Sequence, residues 1–446
     1  MSTTASVNRV KQLLLDRVER CCEQLRQLAE VLPETLVELA AAEQLVRQGV
    51  LEIGRELLQG WSEAADARVA TPDCQDCAEP MRHKGYVVGP LATTLGALRI
   101  RRARFRCEHC RTEQYPHDDQ LRFLGHAVSW PLAKATSRLG AQLPFEAARQ
   151  SLELDYGVRL SKHSIETIVE GAGAALLDRE DRERRHLMAL PPEEQPAALP
   201  DSPISPEKVY VFGDGAMIHT AGDWHEIRVA SAAAYGPSDE RLALDHRARF
   251  LSCEDFGWQL LLLARSCGYH RAAVKAFIAD GARWLWETAA VHFPDAIQIL
   301  DWYHLKEHVH TTAAALYGPG SDEAQQFSEV RLQELWQGRA DQTLLGLESL
   351  RKQCRAPTKR EALRQLINYL QNNRRRIDYP RYRHLGLAVG SGQVEGACKS
   401  LVAARCKQAG MRNWTRRGAE GVLRLRAALQ TRQFDDLWTP PQKQAA

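Results

Sequence analysis

Residues 209–216 read VYVFGDGA, and together with two later stretches they decide the fold. Residues 274–281 read VKAFIADG, and residues 296–304 read AIQILDWYH. In each stretch a run of strand-forming residues ends in an aspartate, and a helical pattern follows the second and third runs. Strands that alternate with helices favour an α/β domain, in which sites form at the carboxyl ends of the strands. The three aspartates are Asp214, Asp280 and Asp301.

A third acidic element lies downstream in GSGQVEGACKSLVAARCKQAG, residues 390–410. Its apolar residues recur at helical spacing, and Glu395 borders the apolar stripe. A carboxylate there needs a cation or a hydrogen-bond donor, since burying it alone is costly. Two aspartates and this glutamate would hold Mg²⁺ (or Mn²⁺), because hard cations prefer carboxylate oxygens. The alternative is a salt bridge from Glu395 to Lys399, four residues later.

Four cysteines occur as two Cys-x2-Cys pairs separated by 29 residues. The intervening segments alternate in polarity, and Gly96 suits the turn of a β-hairpin that brings the pairs together. Four thiolates favour a structural Zn²⁺ site of the zinc-ribbon type, and the alternative is two chance pairs of thiols. The proposed ligands are Cys74, Cys77, Cys107 and Cys110. The second hairpin strand is rich in arginine, which fits either phosphate contact or a solvated strand.

Residues 145–170 fit a helix-turn-helix, with Gly157 in the turn and Ser161 capping the second helix. In that motif the first residues of the second helix reach DNA, which singles out Lys162 and His163. A helical hairpin with only a packing role remains the alternative. Further upstream, the spacing of apolar residues within 9–60 predicts helices broken near Pro33, either as an oligomerisation arm or packed on the body.

The composition limits the functional class only weakly. The 446 residues carry 59 basic and 56 acidic side chains, so the net charge of +3 excludes neither nucleic acid nor small substrates. Apolar runs long enough for a membrane span and an apolar signal core are both missing, which predicts a cytoplasmic protein. Eleven cysteines in such a protein are expected to be thiols or metal ligands.

Several ordered motifs resemble those of the ISKra-group insertion-sequence transposases of bacteria. These are GDGA (213–216), DGARWLW (280–286), FPDAIQILDWYHLKEH (293–308), SGQVEGACKSLVAARCKQAGMR (391–412) and FDDLW (434–438). The family comprises DDE enzymes with an RNase H-like core, akin to the Mutator-like superfamily, and it has an N-terminal zinc-binding region. The resemblance covers nearly all of residues 71–438.

The resemblance implies that Asp214, Asp280 and Glu395 are the catalytic acids, with Asp301 and His304 as an auxiliary Asp-x2-His pair. Counting strands makes Asp280 the residue that closes the fourth strand, whereas Asp301 closes the fifth. We therefore prefer Asp280 as the second metal ligand, although Asp301 remains an alternative. The implied reaction uses Mg²⁺ to cut a strand at the end of the element, after which the freed 3′-OH attacks target DNA. A non-catalytic DNA-binding derivative is the alternative function.

Basic residues on both sides of the acidic constellation support a DNA partner near the bacterial nucleoid. Residues 372–383 carry five arginines, and residues 405–426 carry seven basic residues against one acid. Because two DNA ends must be joined, we expect a homodimer or a larger assembly in the DNA complex. The candidate DNA contacts in this region are Lys399, Arg405, Lys407, Arg412, Arg416 and Arg417.

These features predict an RNase H-like α/β core with a helical insertion, preceded by helical, zinc-ribbon and helix-turn-helix regions. The order is a helical region (1–70), a zinc ribbon (71–116), a helix-turn-helix region (117–177), a linker (178–206), a catalytic domain (207–438) with an α-helical insertion at about 305–385, and a tail (439–446).

Overall fold

The computed structural model describes residues 2–64, 70–408, 411 and 413–438. The chain divides into two compact units, one formed by residues 1–173 with 432–446 and the other by residues 174–431. The described residues form both helices and sheets, which confirms the mixed α/β class.

The first unit opens with a hairpin of two long helices. Helix α1 spans Ser2–Glu30 and helix α2 spans Leu39–Ala64, and the link between them contains Pro33. Proline cannot continue a helix without losing a backbone hydrogen bond, which explains where the pair is interrupted.

A three-stranded antiparallel sheet follows. Strand β1 (Arg82–Thr93) pairs with β2 (Gly96–Arg106), which pairs in turn with the short β3 (Glu113–Gln114). Gly96 has a φ of +114°, which favours glycine at the turn. The hairpin predicted between the two cysteine pairs is therefore present.

Four further helices follow, and the last of them continues past residue 173. They are α3 (Asp118–Leu121), α4 (Trp130–Gln142), α5 (Phe145–Tyr156) and α6 (Lys162–Ala189). Gly157 ends α5 with a φ of +64°, and the Ser161 hydroxyl accepts a hydrogen bond from the backbone N–H of Ser164 at 3.0 Å. The two helices and the turn predicted over 145–170 are thus present.

Helix α6 continues through residue 189, so the first part of the segment expected as a linker over 178–206 is helical. Its charge run does not lie wholly in solvent, since the Arg184 side chain is only 7% exposed and pairs with Asp181 at 2.8 Å. Composition alone predicted an exposed linker here, but ion pairs in the folded chain keep some of these charged residues in a partly buried helix. The rest of the segment contains only the one-turn helix α7 (Gln195–Ala198).

The second unit is built on a five-stranded mixed sheet. Its strands are β4 (Lys208–Thr220), β5 (Asp223–Tyr235), β6 (Arg241–Arg249), β7 (Val274–Ala279) and β8 (Ile297–Leu300). Their spatial order is β6-β5-β4-β7-β8. The first three strands are antiparallel, whereas β7 and β8 run parallel to β4. Successive residues Val209, Tyr210 and Val211 are all buried, so both faces of β4 are covered.

Helices account for most of the remaining second unit. Helix α8 (Cys253–Ser266) connects β6 to β7, and α9 (Arg283–His292) connects β7 to β8. The region expected as a helical insertion is helical: α10 (Trp302–Tyr317), α11 (Asp322–Trp336), α12 (Ala340–Gln353), α13 (Pro357–Asn372) and α14 (Tyr379–His384). The last helices are α15 (Gly392–Ala397), a π-helical turn (Cys398–Ala403), α16 (Ala404–Cys406) and α17 (Arg416–Gln430). In the described part of the chain, none of the helices has the length and apolar character needed to cross a membrane.

Candidate functional site

Three aspartates lie side by side at the edge of the sheet where β7 and β8 end. Asp280 and Asp301 directly follow these two strands, whereas β4 continues past Asp214 to Thr220, so the expectation that a strand ends at Asp214 is wrong. Phe212 of β4 is in register with Ile278 of β7, so Asp214 and Asp280, each two residues further on, continue the same row. Ala279 is in register with Leu300 of β8, which places Asp301 next to Asp280. Because neighbouring strands lie about 4.8 Å apart, this register collects the acids at one sheet edge.

Asp214 lies on β4 and is half-buried. Its carboxylate accepts hydrogen bonds from the Gly215 N–H at 2.7 Å and from the Cys398 thiol at 3.3 Å. Burial raises the pKa of Asp214, the two hydrogen bonds oppose this rise, and the nearby charge of Asp280 adds to it. A carboxylate in this situation favours a neighbouring cation.

Asp280 follows β7 directly, where the chain turns sharply. Its carboxylate accepts a hydrogen bond from the N–H of Ala282 at 2.9 Å. The turn residue Gly281 has a φ of +105°, and a Cβ atom there would lie 2.7 Å from the Tyr369 ring. The Tyr369 hydroxyl donates to the Asp280 carbonyl at 2.7 Å, so a helix of the inserted region contacts the backbone of the site.

Asp301 is fully buried, and its carboxylate is used by the backbone. One oxygen caps α10 by accepting the N–H groups of Tyr303 at 2.6 Å and His304 at 2.9 Å. The other oxygen accepts the N–H of Ser391, which precedes α15. Burial opposes ionisation of Asp301, but the hydrogen bonds outweigh it and hold the pKa of this carboxyl below its usual range.

His304 and Glu395 join Asp301 in a compact group. One ligand atom from each of the three residues lies within 4.8 Å of the others, so the group could hold a metal ion. The Asp301 carboxylate raises the pKa of His304 to about 9, and the charges of Asp280 and Asp214 act in the same direction. Glu395 also lies 3.9 Å from the 81% exposed Lys399, so the alternative salt bridge is present but loose.

The helix that carries Glu395 contacts two members of the aspartate row. Cys398 lies on the same side of the helix as Glu395, one turn later, and reaches Asp214. Ser391 at its start donates its N–H to Asp301 and its hydroxyl to Glu395 at 3.4 Å. Sequence reasoning did not assign Cys398 to the site, and its position three residues after Glu395 was the available signal for the contact with Asp214. A π-helical turn begins at Cys398, a feature often found at functional sites.

A second cluster is formed by the four paired cysteines. Sulfur atoms lie 3.3 Å apart for Cys74 and Cys110, 3.5 Å for Cys77 and Cys107, and 3.7 Å for Cys77 and Cys110. Zn–S bonds of about 2.3 Å in a tetrahedron require sulfur separations of about 3.8 Å. These four cysteines could therefore hold a structural zinc ion with small adjustments.

The predicted DNA contacts fall into two groups by exposure. Lys162, His163, Lys399, Lys407 and Arg416 have exposed side chains, although Arg416 also bonds His225 at 3.1 Å. Arg417 is half-buried, and its guanidinium bonds Asp178 and Asp181.

Arg405 does not fit the prediction of a DNA contact, because it is only 1% exposed and its guanidinium lies 4.8 Å from the centre of the Trp414 ring. Its role is to pack under that ring rather than to meet DNA. Trp414 is itself buried. The prediction for Arg412 falls on a residue outside the described ones.

Comparison with known proteins adds no assignment. No protein-family model matches this chain. No curated protein matches it either.

Proposed function

We propose that this protein is a DNA transposase of the DDE type, similar to the ISKra group, with an RNase H-like catalytic core. The observation that carries the proposal is the register of Asp214 and Asp280 on adjacent parallel strands, with Glu395 delivered to the same edge by a later helix. Three acids from separate elements at one sheet edge are the arrangement that two-metal phosphoryl transfer requires.

The topology supports this core. Three antiparallel strands come first in the chain, and two strands parallel to the first follow, giving the order β6-β5-β4-β7-β8. The resemblance implies this layout for an RNase H-like domain, with the first acid on the first strand and the second acid after the fourth. The five helices α10–α14 occupy the chain between β8 and the helix of Glu395, as expected for an insertion.

The donor set fits Mg²⁺, because carboxylate oxygens dominate it. Burial raises the pKa of Asp214 and the charge of Asp280 adds to this rise, while the Asp301 carboxylate raises the pKa of His304, so the site favours a cation. Asp214, Asp280 and Glu395 would hold the ions. When bound, such ions stabilise the attacking and leaving oxygens of a phosphodiester displacement. The protein contributes the fixed register of the two aspartates, the thiol contact that orients Asp214, and burial that lowers the local dielectric.

Asp280 is favoured over Asp301 as the second metal ligand. Both oxygens of Asp301 accept backbone N–H groups, so a cation would compete with the cap of α10 and with the Ser391 contact. The half-buried Asp280 carboxylate makes one contact to Ala282 and is more accessible. Asp301 then positions α10 and the start of α15, and His304 would lie beside the ions held by the acids.

The DNA partner is supported by the exposed cations. Lys399 and Lys407 lie on or next to the helix of Glu395, and Arg416 opens α17. Lys162 and His163 lie at the start of the second helix of the helix-turn-helix candidate. Phosphate contacts need only accessible positive charge, whereas base readout needs the helix in a groove.

The test is cleavage and strand transfer with DNA that carries the sequences flanking this gene on both sides. Wild type is expected to cut at defined ends in Mg²⁺. Asp280→Asn is expected to reduce cleavage by at least about 10³-fold, since a metal ligand supplies several kcal/mol of transition-state stabilisation. Asp295→Asn is the matched control, because this aspartate lies in the same unit and pairs with Lys275 at 2.6 Å.

Different outcomes separate the alternatives. Unchanged cleavage by Asp280→Asn would contradict the site assignment. DNA binding without cleavage by wild type in Mg²⁺ or Mn²⁺ would favour the non-catalytic DNA-binding derivative.

A further inference from the structure

Helix α1 carries two edges with the spacing of a coiled-coil seam, offset by one residue. The first edge packs on α2: Cys21 is only 4% exposed, and a Cβ atom at Gly49 of α2 would lie 2.6 Å from Leu28. Arg17 and Gln24 continue this edge, donating to the backbone carbonyl of Glu56 at 3.3 Å and to its side chain at 3.1 Å. The spacing of three and four residues is that of a coiled-coil seam.

The second edge of α1 has the same spacing and faces solvent. Leu15, Val18 and Leu25 are 56%, 43% and 45% exposed, and the exposed Cys22 completes the series. The steps of three, four and three residues are those of alternating a and d positions. A helix with two such seams fits between two partner helices, and α2 supplies only one of them.

Helix α2 extends this exposed edge into a face. On α2, Gly49 and Glu56 face α1. Val50 comes directly after Gly49, and Leu57 comes directly after Glu56. One residue rotates a side chain by about 100° around a helix. Because α1 and α2 run antiparallel, a one-residue step along either helix turns the side chain toward the same side of the hairpin. Val50 is 52% exposed, and Val46, one turn earlier, is 40% exposed.

Exposed apolar side chains are concentrated in this hairpin. In the described part of the chain, 22 large hydrophobic residues are strongly exposed, and nine of them lie between positions 15 and 50. Five of these nine lie on the exposed edges of α1 and α2, and a contiguous apolar surface of this kind marks an interaction site. We refer to the surface of Leu15, Val18, Cys22, Leu25, Val46 and Val50 as the hairpin face.

We propose that the hairpin face binds the same face of a second copy of this chain and closes a four-helix bundle. The exposed edge of α1 runs over ten residues, about 15 Å of helix, and Val46 and Val50 extend the face along α2. A two-fold interface brings the same surface of both subunits together, and the a and d spacing of the exposed edge is the spacing that pairs helices in this way. The inference does not depend on the catalytic assignment.

Charge complementarity selects the orientation. Glu19 and Arg26 border the α1 edge at equivalent positions, immediately after Val18 and Leu25. When two α1 helices pack antiparallel with Cys22 across from Leu25, Glu19 lies next to Arg26 of the partner subunit, and the reverse pair forms by symmetry. Within one chain Arg26 pairs with Glu23 at 3.1 Å, but both side chains are more than half exposed. Such a contact contributes little, so Arg26 can leave it to pair with Glu19 of the partner subunit.

The first test is the oligomeric state of the full-length protein, measured by sedimentation without DNA. Wild type is expected to be dimeric at micromolar concentration. Val18→Glu with Leu25→Glu is expected to raise the dissociation constant at least about 100-fold, because four charges would be buried per dimer. The matched control, Arg20→Glu with Gln27→Glu, changes two exposed positions elsewhere on α1 and should leave the dimer intact.

The second test concerns the orientation. Glu19→Arg alone and Arg26→Glu alone are each expected to weaken the dimer about 5-fold, and the double variant is expected to restore it. A monomeric wild type, or a Val18→Glu/Leu25→Glu variant that dimerises like the control, would overturn the hairpin-face interface. Additive losses in the charge-reversal variants would overturn the antiparallel arrangement.

Discussion

At the scale of single residues, the two candidates for the second metal ligand, Asp280 and Asp301, differ in how much they contribute to the free energy of unfolding. Asp301→Ala is expected to lower the free energy of unfolding by about 2–4 kcal/mol, since it removes a helix cap and leaves the buried N–H of Ser391 without its acceptor. Asp280→Ala should change stability by less than about 1 kcal/mol, because its carboxylate makes a single backbone hydrogen bond. Thermal unfolding of both variants checks this difference. Equal losses would mean that Asp301 has no special structural role.

Another residue-scale prediction concerns a buried ion network in the second unit. Arg247 is 9% exposed and pairs with Asp245 at 2.5 Å and Glu180 at 3.0 Å. Arg247→Ala is expected to cost about 3–5 kcal/mol, because two carboxylates would stay buried without this partner. The control Arg283→Ala breaks a solvent-exposed pair with Glu287 and should cost less than about 1 kcal/mol. Chemical denaturation measures both changes, and similar costs would show that the network adds little.

The same network predicts a dependence of stability on pH. Burial alone would raise the pKa of Asp245 and of Glu180, but the arginines hold both below their usual range. Carboxyl groups with a lowered pKa in the folded state contribute stability above their unfolded pKa of about 4 and lose it as the pH falls further. As the pH falls below about 4, the thermal midpoint should therefore decrease, and the decrease should be steeper in wild type than in Arg247→Ala. Parallel curves for the two proteins would contradict this.

At the scale of elements, the cysteine-bearing end of the β1–β2 hairpin has a small buried core. Its buried cluster consists of Met81, Ala103 and Phe105 beside Cys74 and Cys107. Small cores of this kind need a metal for stability. Purified protein is expected to contain about one zinc per chain, and Cys77→Ser should lose it and expose residues 71–116 to proteolysis. Cys253→Ser, a change at an exposed cysteine elsewhere, is the control. Folded wild type without zinc would contradict the assignment.

Elements with a strong local pattern were predictable from the sequence. The strands that end at Asp280 and Asp301 are continuous runs of strand formers, and helices follow both. The turn at Gly157 and the cap at Ser161 were readable because they depend on one residue each. The length of α6 was not predictable, since residues 178–186 are mostly charged and their helix is stabilised by partners that are distant in sequence, such as Arg249 and Arg417.

At the scale of the whole molecule, the candidate site was predicted as a set of acids but not as a set of contacts. The register of β4 with β7 depends on pairing between residues more than 60 positions apart, which no local pattern encodes. The same holds for Asp301, whose second oxygen meets Ser391 some 90 residues later. Arg405 was misjudged for a related reason, since a basic run gives no sign of which member packs beneath Trp414.

The net charge of +3 is small for a molecule proposed to bind DNA, so a few exposed cations must supply the electrostatic attraction. We expect the logarithm of the DNA association constant to fall linearly with the logarithm of the salt concentration. Lys407→Ala should reduce that slope by about 0.9, since it removes one phosphate contact. Arg405→Ala should instead lower the thermal midpoint and leave the slope unchanged, because the side chain is buried against Trp414. Fluorescence anisotropy with labelled DNA across a salt series measures the slope. An unchanged slope for Lys407→Ala would remove this lysine from the DNA interface, and a reduced slope for Arg405→Ala at constant stability would contradict its structural role.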